Sequence, residues 1–147
     1  MMKIALLIGS LALAVVASTP AATHRARPDL VVTKVAISRT VILAGGSLRA
    51  TDTTKNVGRR RARGTVTRYF IAGGGIHKLA ASRGVRALGA GKSSTGSRFV
   101  KTSTSLPAGT YAIQACADAT HLVRERSESN DCRLSPEFTV KAPPPPA

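Results

Sequence analysis

Short runs of β-branched and apolar residues recur along most of the chain, separated by clusters of Gly, Pro, Asn and Ser. This alternation is typical of β-strands joined by turns. No segment repeats apolar residues at the i, i+3, i+4 spacing of an amphipathic helix, and helix start and stop signals are missing as well. The pattern predicts an all-β sandwich of about seven short strands, drawn from residues 30–37, 41–43, 48–54, 65–71, 84–88, 99–104, 110–117 and 138–141.

The alternation within two strands predicts which side chains face the interior. On the first strand, Val31, Val35 and Ile37 fall on one face and are expected in the core. On the strand at 48–54, the even positions form one face, and Asp52 is among them. That face is therefore not purely apolar.

The first 22 residues have the layout of a secretory signal peptide. Lys3 supplies a positive charge, and residues 4–16 form an apolar run that is followed by small residues. A run of this length is too short to cross a bilayer, which needs roughly 20 apolar residues in a helix. We therefore predict export with cleavage near residues 17–22; the alternative is a buried N-terminal helix.

About 125 residues remain after the leader, which is the size of one ordinary domain. We predict a short linker at 23–28, a single domain at 29–141 and an extended proline-rich tail at 142–147. The chain has two Tyr, three Phe and no Trp, so Val, Ile, Leu and Ala must fill most of the core. No second apolar run follows the leader, so we expect no stable membrane anchor and a secreted, monomeric protein.

The chain carries 22 basic and 7 acidic residues, a formal net charge of +15. Such a charge attracts anionic surfaces, which outside a cell are phosphate-bearing wall polymers, lipid headgroups or stray nucleic acid. A general bias of the source proteome toward basic residues would explain the charge equally well. The densest patch follows the predicted turn at Asn56-Val57-Gly58 and consists of Arg59, Arg60, Arg61 and Arg63. It is either a polyanion patch or a solvated loop; no aromatic residue lies nearby to stack on bases, so specific nucleic-acid binding is not expected.

Two cysteines, Cys116 and Cys132, remain in the exported part. An even count in an oxidising compartment predicts one disulfide, whose loop would stabilise the fold by about 3 kcal/mol. A metal or redox pair fits less well, because there is no C-x-x-C motif and the three histidines are scattered. Tyr111, Ile113 and Ala115 should face the core, and Cys116 is out of phase with them. We therefore expect the bridge to tie two strands together at the mouth of a loop rather than to cross the core.

The loop closed by this bridge, residues 117–131, holds most of the acid in a basic chain, and we call it the acidic loop. Its side chains with turn-forming or ligand potential are Asp118, Glu125, Glu128, Asn130 and Asp131. In one interpretation these residues bind Ca²⁺, which takes six to eight oxygen ligands, although the spacing does not match an EF-hand.

In the other interpretation the acidic loop is structural. Asp118, Asn130 and Asp131 would then accept hydrogen bonds from backbone N–H groups in turns. The two glutamates would pair with nearby arginines, for which the sequence offers Arg124, Arg126 and Arg133. Under this interpretation the protein needs no cofactor.

Three blocks of sequence carry a family resemblance. They are Pro28-Asp29-Leu30-Val31-Val32; Gly45-Gly46-Ser47-Leu48 through Asp52-Thr53-Thr54-Lys55-Asn56-Val57-Gly58; and Pro107-Ala108-Gly109-Thr110-Tyr111, Ala115-Cys116-Ala117-Asp118, Val123, Glu125, Glu128 and Asn130-Asp131-Cys132. In this order they resemble the bacterial cell-adhesion-related domain, CARDB, over residues 28–140. Two departures are Asp131, where the family usually has a second asparagine, and Arg126, where acidic or small polar residues are common.

The resemblance implies an immunoglobulin-like antiparallel β-sandwich with an extracellular, non-enzymatic role, and it carries over no catalytic residue. The residues agree: Gly91-Lys92-Ser93 resembles the end of a phosphate-binding P-loop, but Arg86 stands where that motif needs Gly. We expect a secreted binding or adhesion module whose partner is an extracellular protein or an anionic cell-surface polymer. The alternatives are an accessory or inhibitor protein that acts on an extracellular or cell-wall hydrolase, and a structural spacer.

Overall fold

The computed structural model describes residues 25–147, and this part of the chain forms nine strands and no helix. The strands are β1 (Leu30–Ile37), β2 (Val41–Leu43), β3 (Ser47–Asn56), β4 (Thr65–Gly73), β5 (Ile76–Val85), β6 (Ser93–Lys101), β7 (Gly109–Cys116), β8 (Cys132–Leu134) and β9 (Phe138–Lys141). The predicted signal peptide lies outside the described residues and stays a prediction.

The strands form two sheets that pack face to face. The smaller sheet has the order β1-β3-β6, and the larger has the order β2-β9-β7-β4-β5 with β8 also on β7. All neighbouring strands are antiparallel except β2 and β9, which run parallel. This arrangement confirms the predicted all-β, immunoglobulin-like sandwich.

Two predicted strands were misplaced and one was missed. The strands expected at 84–88 and 99–104 are β5 at Ile76–Val85 and β6 at Ser93–Lys101, and β8 was not predicted. β5 and β6 each lie at an edge of a sheet and bury few side chains, so their sequences lack the apolar alternation that marks a half-buried strand. Their pairing with β4 and β3 through backbone hydrogen bonds defines them instead.

The inward face of β1 differs from the prediction because the strand is irregular. Leu30, Val32 and Val35 are buried, whereas Val31 and Ile37 are only half-buried. The register against β3 shifts between Val32 and Lys34. One extra residue at this bulge changes which parity points inward, and a strict two-residue period cannot show that.

The core lies between the sheets and is mainly aliphatic. Its largest apolar members with almost no exposed surface are Tyr69, Phe138, Leu30, Leu48, Ile113, Val100 and Val140. Phe99, by contrast, is 66% exposed and lies under the guanidinium of Arg49.

A buried ion pair crosses this core. Asp52 on β3, the acid predicted on an inner face, accepts hydrogen bonds from Nε and Nη2 of Arg83 on β5 at 2.6 and 2.8 Å. The hydroxyl of Tyr69 on β4 also donates to Asp52, and burial together with this bond raises the pKa of Tyr69. At Gly96 on β6 a Cβ atom would come within 2.8 Å of the Arg83 side chain, so this glycine leaves room for the guanidinium.

Residues 25–147 contain no helix long and apolar enough to span a membrane.

Candidate functional site

The acidic loop begins and ends at the disulfide. Cys116 and Cys132 are directly paired on the neighbouring strands β7 and β8, and their sulfurs are bonded. Tyr111, Ile113 and Ala115 face the core as expected. The predicted bridge is therefore confirmed, and it closes the mouth of the loop without crossing between the sheets.

Asp118 organises the first turn of the loop. It has a φ of 40° and is fully buried. Its two carboxylate oxygens accept hydrogen bonds from the backbone N–H groups of Leu122 and Val123, each at 2.9 Å. Because both oxygens are occupied within the turn, Asp118 acts as the predicted turn residue.

Three carboxylates of the loop converge beyond that turn. One oxygen each from Glu125, Glu128 and Asp131 lies within 4.8 Å of the other two. Glu125 and Asp131 are 3% and 6% exposed, whereas Glu128 is exposed. Oε2 of Glu125 accepts a hydrogen bond from the backbone N–H of Leu30, at the start of β1. We call these three residues the carboxylate cluster.

Two oxygens of the carboxylate cluster have no partner among the described residues. Oε1 of Glu125 and Oδ1 of Asp131 are buried and make no hydrogen bond. Burial, with the nearby carboxylates, raises the pKa of Glu125 to about 8. Burial and the charge of Glu128 likewise raise the pKa of Asp131 to about 6. A divalent cation between these oxygens would relieve both the desolvation and the mutual repulsion.

Asn130 lies outside the carboxylate cluster, although the sequence grouped it with these residues. Its side-chain amide donates to Oδ1 of Asp29, at 3.0 Å. The other carboxylate oxygen of Asp29, Oδ2, lies 3.0 Å from Nε and 2.8 Å from Nη2 of Arg126. The structural interpretation paired the loop glutamates with arginines, and in this it was wrong: the described residues show no such ion pair. Arg126 instead pairs with Asp29, a buried acid 97 residues away in the chain.

Asn56, at the end of β3, is a structural residue that the sequence suggested only as part of a turn. It is fully buried; its Oδ1 accepts from the N–H groups of Asp29 and Gly58, and its Nδ2 donates to the carbonyls of Arg60 and Leu88. Four hydrogen bonds from one amide hold three segments of chain together.

The turn at Asn56-Val57-Gly58 was predicted because Asn and Gly tolerate a positive φ, but neither Asn56 nor Gly58 has one. Gly58 is needed for space. A Cβ there would lie 2.4 Å from the carbonyl oxygen of Arg27 and 2.5 Å from the backbone nitrogen of Asp29.

The predicted arginine patch joins a larger basic surface at this end of the sandwich. Arg59, Arg60, Arg61 and Arg63 are all exposed and follow β3. Two clefts, of about 370 and 390 Å³, are lined by these arginines together with four that the linear sequence does not group with them: Arg25, Arg27, Arg124 and Arg126. We call these eight residues the arginine surface. Three segments far apart in the chain form it, which is why a linear scan finds only the densest run.

A family model for the CARDB domain matches residues 27–135. The chain belongs to the CARDB family. That match covers the disulfide, the acidic loop and most of the arginine surface. No curated protein sequence matches this CARDB chain.

Several solved structures share the fold. The CARDB domain of a Pyrococcus furiosus protein, described as a complex with di-metal ions, has a TM-score of 0.58 and 23% identity, over 80% of this chain and 96% of that one. A domain named as part of a cell surface protein from Methanosarcina acetivorans has a TM-score of 0.55 and 17% identity, over 78% and 93% of the two chains. In β-glucosidase 3B from Thermotoga neapolitana the TM-score is 0.53 at 20% identity, but only 16% of that enzyme is covered. This last likeness is one of fold and does not indicate catalysis.

Proposed function

We propose that this CARDB domain is exported and acts outside the cytoplasm as a non-catalytic binding module of the adhesion type, with a calcium ion in its acidic loop. The observation that carries the proposal is the carboxylate cluster: one oxygen each from Glu125, Glu128 and Asp131 lies within 4.8 Å of the other two, and Glu125 and Asp131 each have a buried oxygen without a hydrogen-bond partner. Family membership and the predicted leader support the extracellular role.

The donor set fits calcium. Three carboxylates supply hard, anionic oxygens, and backbone carbonyls and water would complete the six to eight ligands that Ca²⁺ takes. A buried carboxylate oxygen without a hydrogen-bond partner is costly, and the cluster contains two. The relative from Pyrococcus furiosus, described with di-metal ions, supports a role for cations in this fold.

The ion would stabilise more than its own loop. Glu125 accepts a hydrogen bond from Leu30 at the start of β1, so its ionised form, fixed by calcium, ties the acidic loop to the first strand. The neighbouring Arg126 reaches Asp29 on the same segment. The proposed calcium site therefore supports the end of the sandwich at which the arginine surface lies.

A calcium titration tests the site. Millimolar calcium should raise the melting temperature of the chelator-treated protein by several degrees, because a ligand that binds only the folded state stabilises it. The double variant Glu125→Gln/Asp131→Asn should lose that shift. Glu137→Gln, which removes an exposed acid outside the cluster, should retain it. An unchanged melting temperature for the parent protein, or an equal shift in the double variant, would contradict the calcium site.

A pull-down tests the binding role. We expect the purified domain to be retained on whole cells and cell-wall fractions without hydrolysing them. The alternative, an accessory or inhibitor of an extracellular or cell-wall hydrolase, predicts instead that secreted hydrolases are captured and that their activity changes. Capture of a hydrolase without retention on wall material would replace the adhesion proposal.

A further inference from the structure

The arginine surface is built by tertiary contacts rather than by a flexible tail. The N–H of Arg59 donates to the carbonyl of Arg27 at 3.1 Å, and the N–H of Arg126 donates to the carbonyl of Pro28 at 2.9 Å. The side chain of Asn56 binds the backbone of Asp29 and of Arg60. These bonds hold three segments, residues 25–29, 56–63 and 122–126, against one another.

Most of this positive charge is uncompensated. Among the described residues, only Arg126 of the eight arginines has a carboxylate within 4.0 Å. Residues 1–24 contain no Asp or Glu, so they offer no such partner. Neither cleft has an acidic residue in its lining. A concave site lined by one sign of charge concentrates the electrostatic field and draws in ions of the opposite sign.

The shape of the surface favours a linear ligand. The two clefts share Arg25, Ala26 and Arg27 in their linings and are therefore adjacent. Guanidinium groups bind phosphate oxygens through paired hydrogen bonds, and two adjacent clefts can hold anionic groups that are linked along one chain. A single anion would engage only one of them.

The lining of the clefts also argues against two other classes of ligand, nucleobases and lipid surfaces. It contains no aromatic side chain on which a nucleobase could stack. Its one exposed large apolar residue is Leu122, which is too little for insertion into a lipid surface. A polymer recognised through its backbone charge fits these features better than a base or a bilayer does.

We propose that the arginine surface binds a linear cell-surface polymer whose repeating units are joined by phosphodiesters, and that it does so through the backbone phosphates alone. This proposal rests on the extracellular binding role proposed above and names the class of its ligand.

The test uses an abasic oligonucleotide, which is a phosphodiester chain without bases, and an oligothymidylate of equal length, both at constant calcium. The two should bind the purified protein equally, and affinity should fall steeply with added salt. The variant Arg60→Ser/Arg61→Ser/Arg63→Ser/Arg124→Ser should bind roughly tenfold or more weakly, since each exposed ion pair contributes modestly and four are removed.

A matched control removes four positive charges at the opposite end of the sandwich, with Arg39→Ser/Lys78→Ser/Lys101→Ser/Lys141→Ser; all four residues are exposed. It should bind within about twofold of the parent protein, because charges beyond a Debye length are largely screened. Equal losses in the two variants would show that only net charge matters and would overturn the proposal. A preference for oligothymidylate would overturn it in favour of base recognition. Binding to phosphatidylglycerol vesicles without binding to the abasic chain would overturn it in favour of a membrane.

Melting of both variants with and without calcium keeps the two proposals separate. Each variant should retain the calcium shift, because the carboxylate cluster is unchanged. Loss of polymer binding with the shift intact then reports on the arginine surface alone.

Discussion

Asp52 is an acid on the buried face of β3, in the core between the two sheets. Its carboxylate is fully buried and receives a two-point hydrogen bond from Arg83, which also donates to the carbonyl of Ser94 on β6. A buried pair is not a strong source of stability in itself, but removing one partner leaves an uncompensated charge. The pair therefore links β5 of the larger sheet to β3 and β6 of the smaller one.

Arg83→Met should lower the free energy of unfolding by about 3–5 kcal/mol, because the carboxyl group of Asp52 then stays buried without its partner. The double variant Asp52→Leu/Arg83→Met should recover part of this loss. Arg98→Met, on an exposed position of β6, should change it by less than about 1 kcal/mol. Denaturant unfolding measures all three; a similar cost for Arg83→Met and Arg98→Met would contradict the buried-pair interpretation.

The carboxylate cluster predicts an unusual pH dependence without calcium. The pKa of Glu125 is about 8 in the folded protein, above its ordinary value of 4.5, so the folded state holds that proton more tightly. Stability is then highest below the ordinary pKa and falls as the pH rises toward 8. Asp131, whose pKa rises from 3.8 to about 6, adds to the fall over its lower range.

In chelator, the melting temperature should therefore decrease between about pH 5 and 8. Calcium should oppose this decrease, with its largest effect at the upper end, where the carboxylates are ionised. Glu125→Gln should flatten the profile in chelator, whereas Glu137→Gln should leave it unchanged. A melting temperature that rises with pH in chelator would contradict the raised pKa values.

At the scale of elements, the segment before β1 and the segment after β3 depend on close backbone packing. Gly58 lies directly against the backbone of residues 27–29, and Val57 donates a hydrogen bond to the carbonyl of Asp29 at 2.8 Å. This contact places Arg25 and Arg27 beside the arginines that follow β3. The arginine surface therefore requires a residue without a side chain at position 58.

Gly58→Ala should destabilise the protein by about 1–3 kcal/mol, because its Cβ would overlap backbone atoms that cannot move independently. It should also weaken binding of the abasic chain by displacing residues 25–27. The control is Gly84→Ala on β5, where a Cβ meets nothing within 4 Å, and which should be neutral or slightly stabilising. Equal stabilities for the two variants would show that the close approach at Gly58 can relax.

Two features concern the molecule as a whole: the disulfide and the distribution of charge. The bridge links residues 16 apart in sequence, and it acts chiefly by restricting the unfolded chain. The acids of the loop and the uncompensated arginines lie side by side at one end of the sandwich. The protein thus places its densest positive charge next to its proposed cation site, and Arg126, which follows Glu125 in the chain, pairs with Asp29.

Replacing both cysteines with serine should lower the free energy of unfolding by about 3 kcal/mol, the value expected for a loop of this length. Reduction of the parent protein with dithiothreitol should reproduce that loss, as measured by denaturant unfolding. Because the bridge closes the acidic loop, calcium affinity should fall as well. A reduced protein with unchanged stability and calcium affinity would contradict this role.

The all-β class, the family and the disulfide could all be predicted from the amino-acid sequence. Alternation and turn residues located strands such as β4, β7 and β9 to within a few residues, because one face of each is buried and the apolar period is visible. The edge strands β5 and β6 were misplaced in the prediction. Hydrogen bonds to a partner strand define them, and no local sequence pattern identifies that partner. The bulge in β1 was not predicted for a related reason, because it depends on how β1 pairs with β3.

The use of the polar residues depends on the three-dimensional fold and could not be predicted from the sequence. The sequence placed five candidate ligands in the acidic loop, and the fold brought Glu125, Glu128 and Asp131 together while assigning Asp118 to a turn and Asn130 to Asp29. It also joined the predicted arginine run to arginines from two distant segments. Charge and side-chain chemistry are properties of the sequence, but the distance between two charges and their access to water depend on the packing of segments far apart in the chain, and these decide whether a residue binds, pairs or caps.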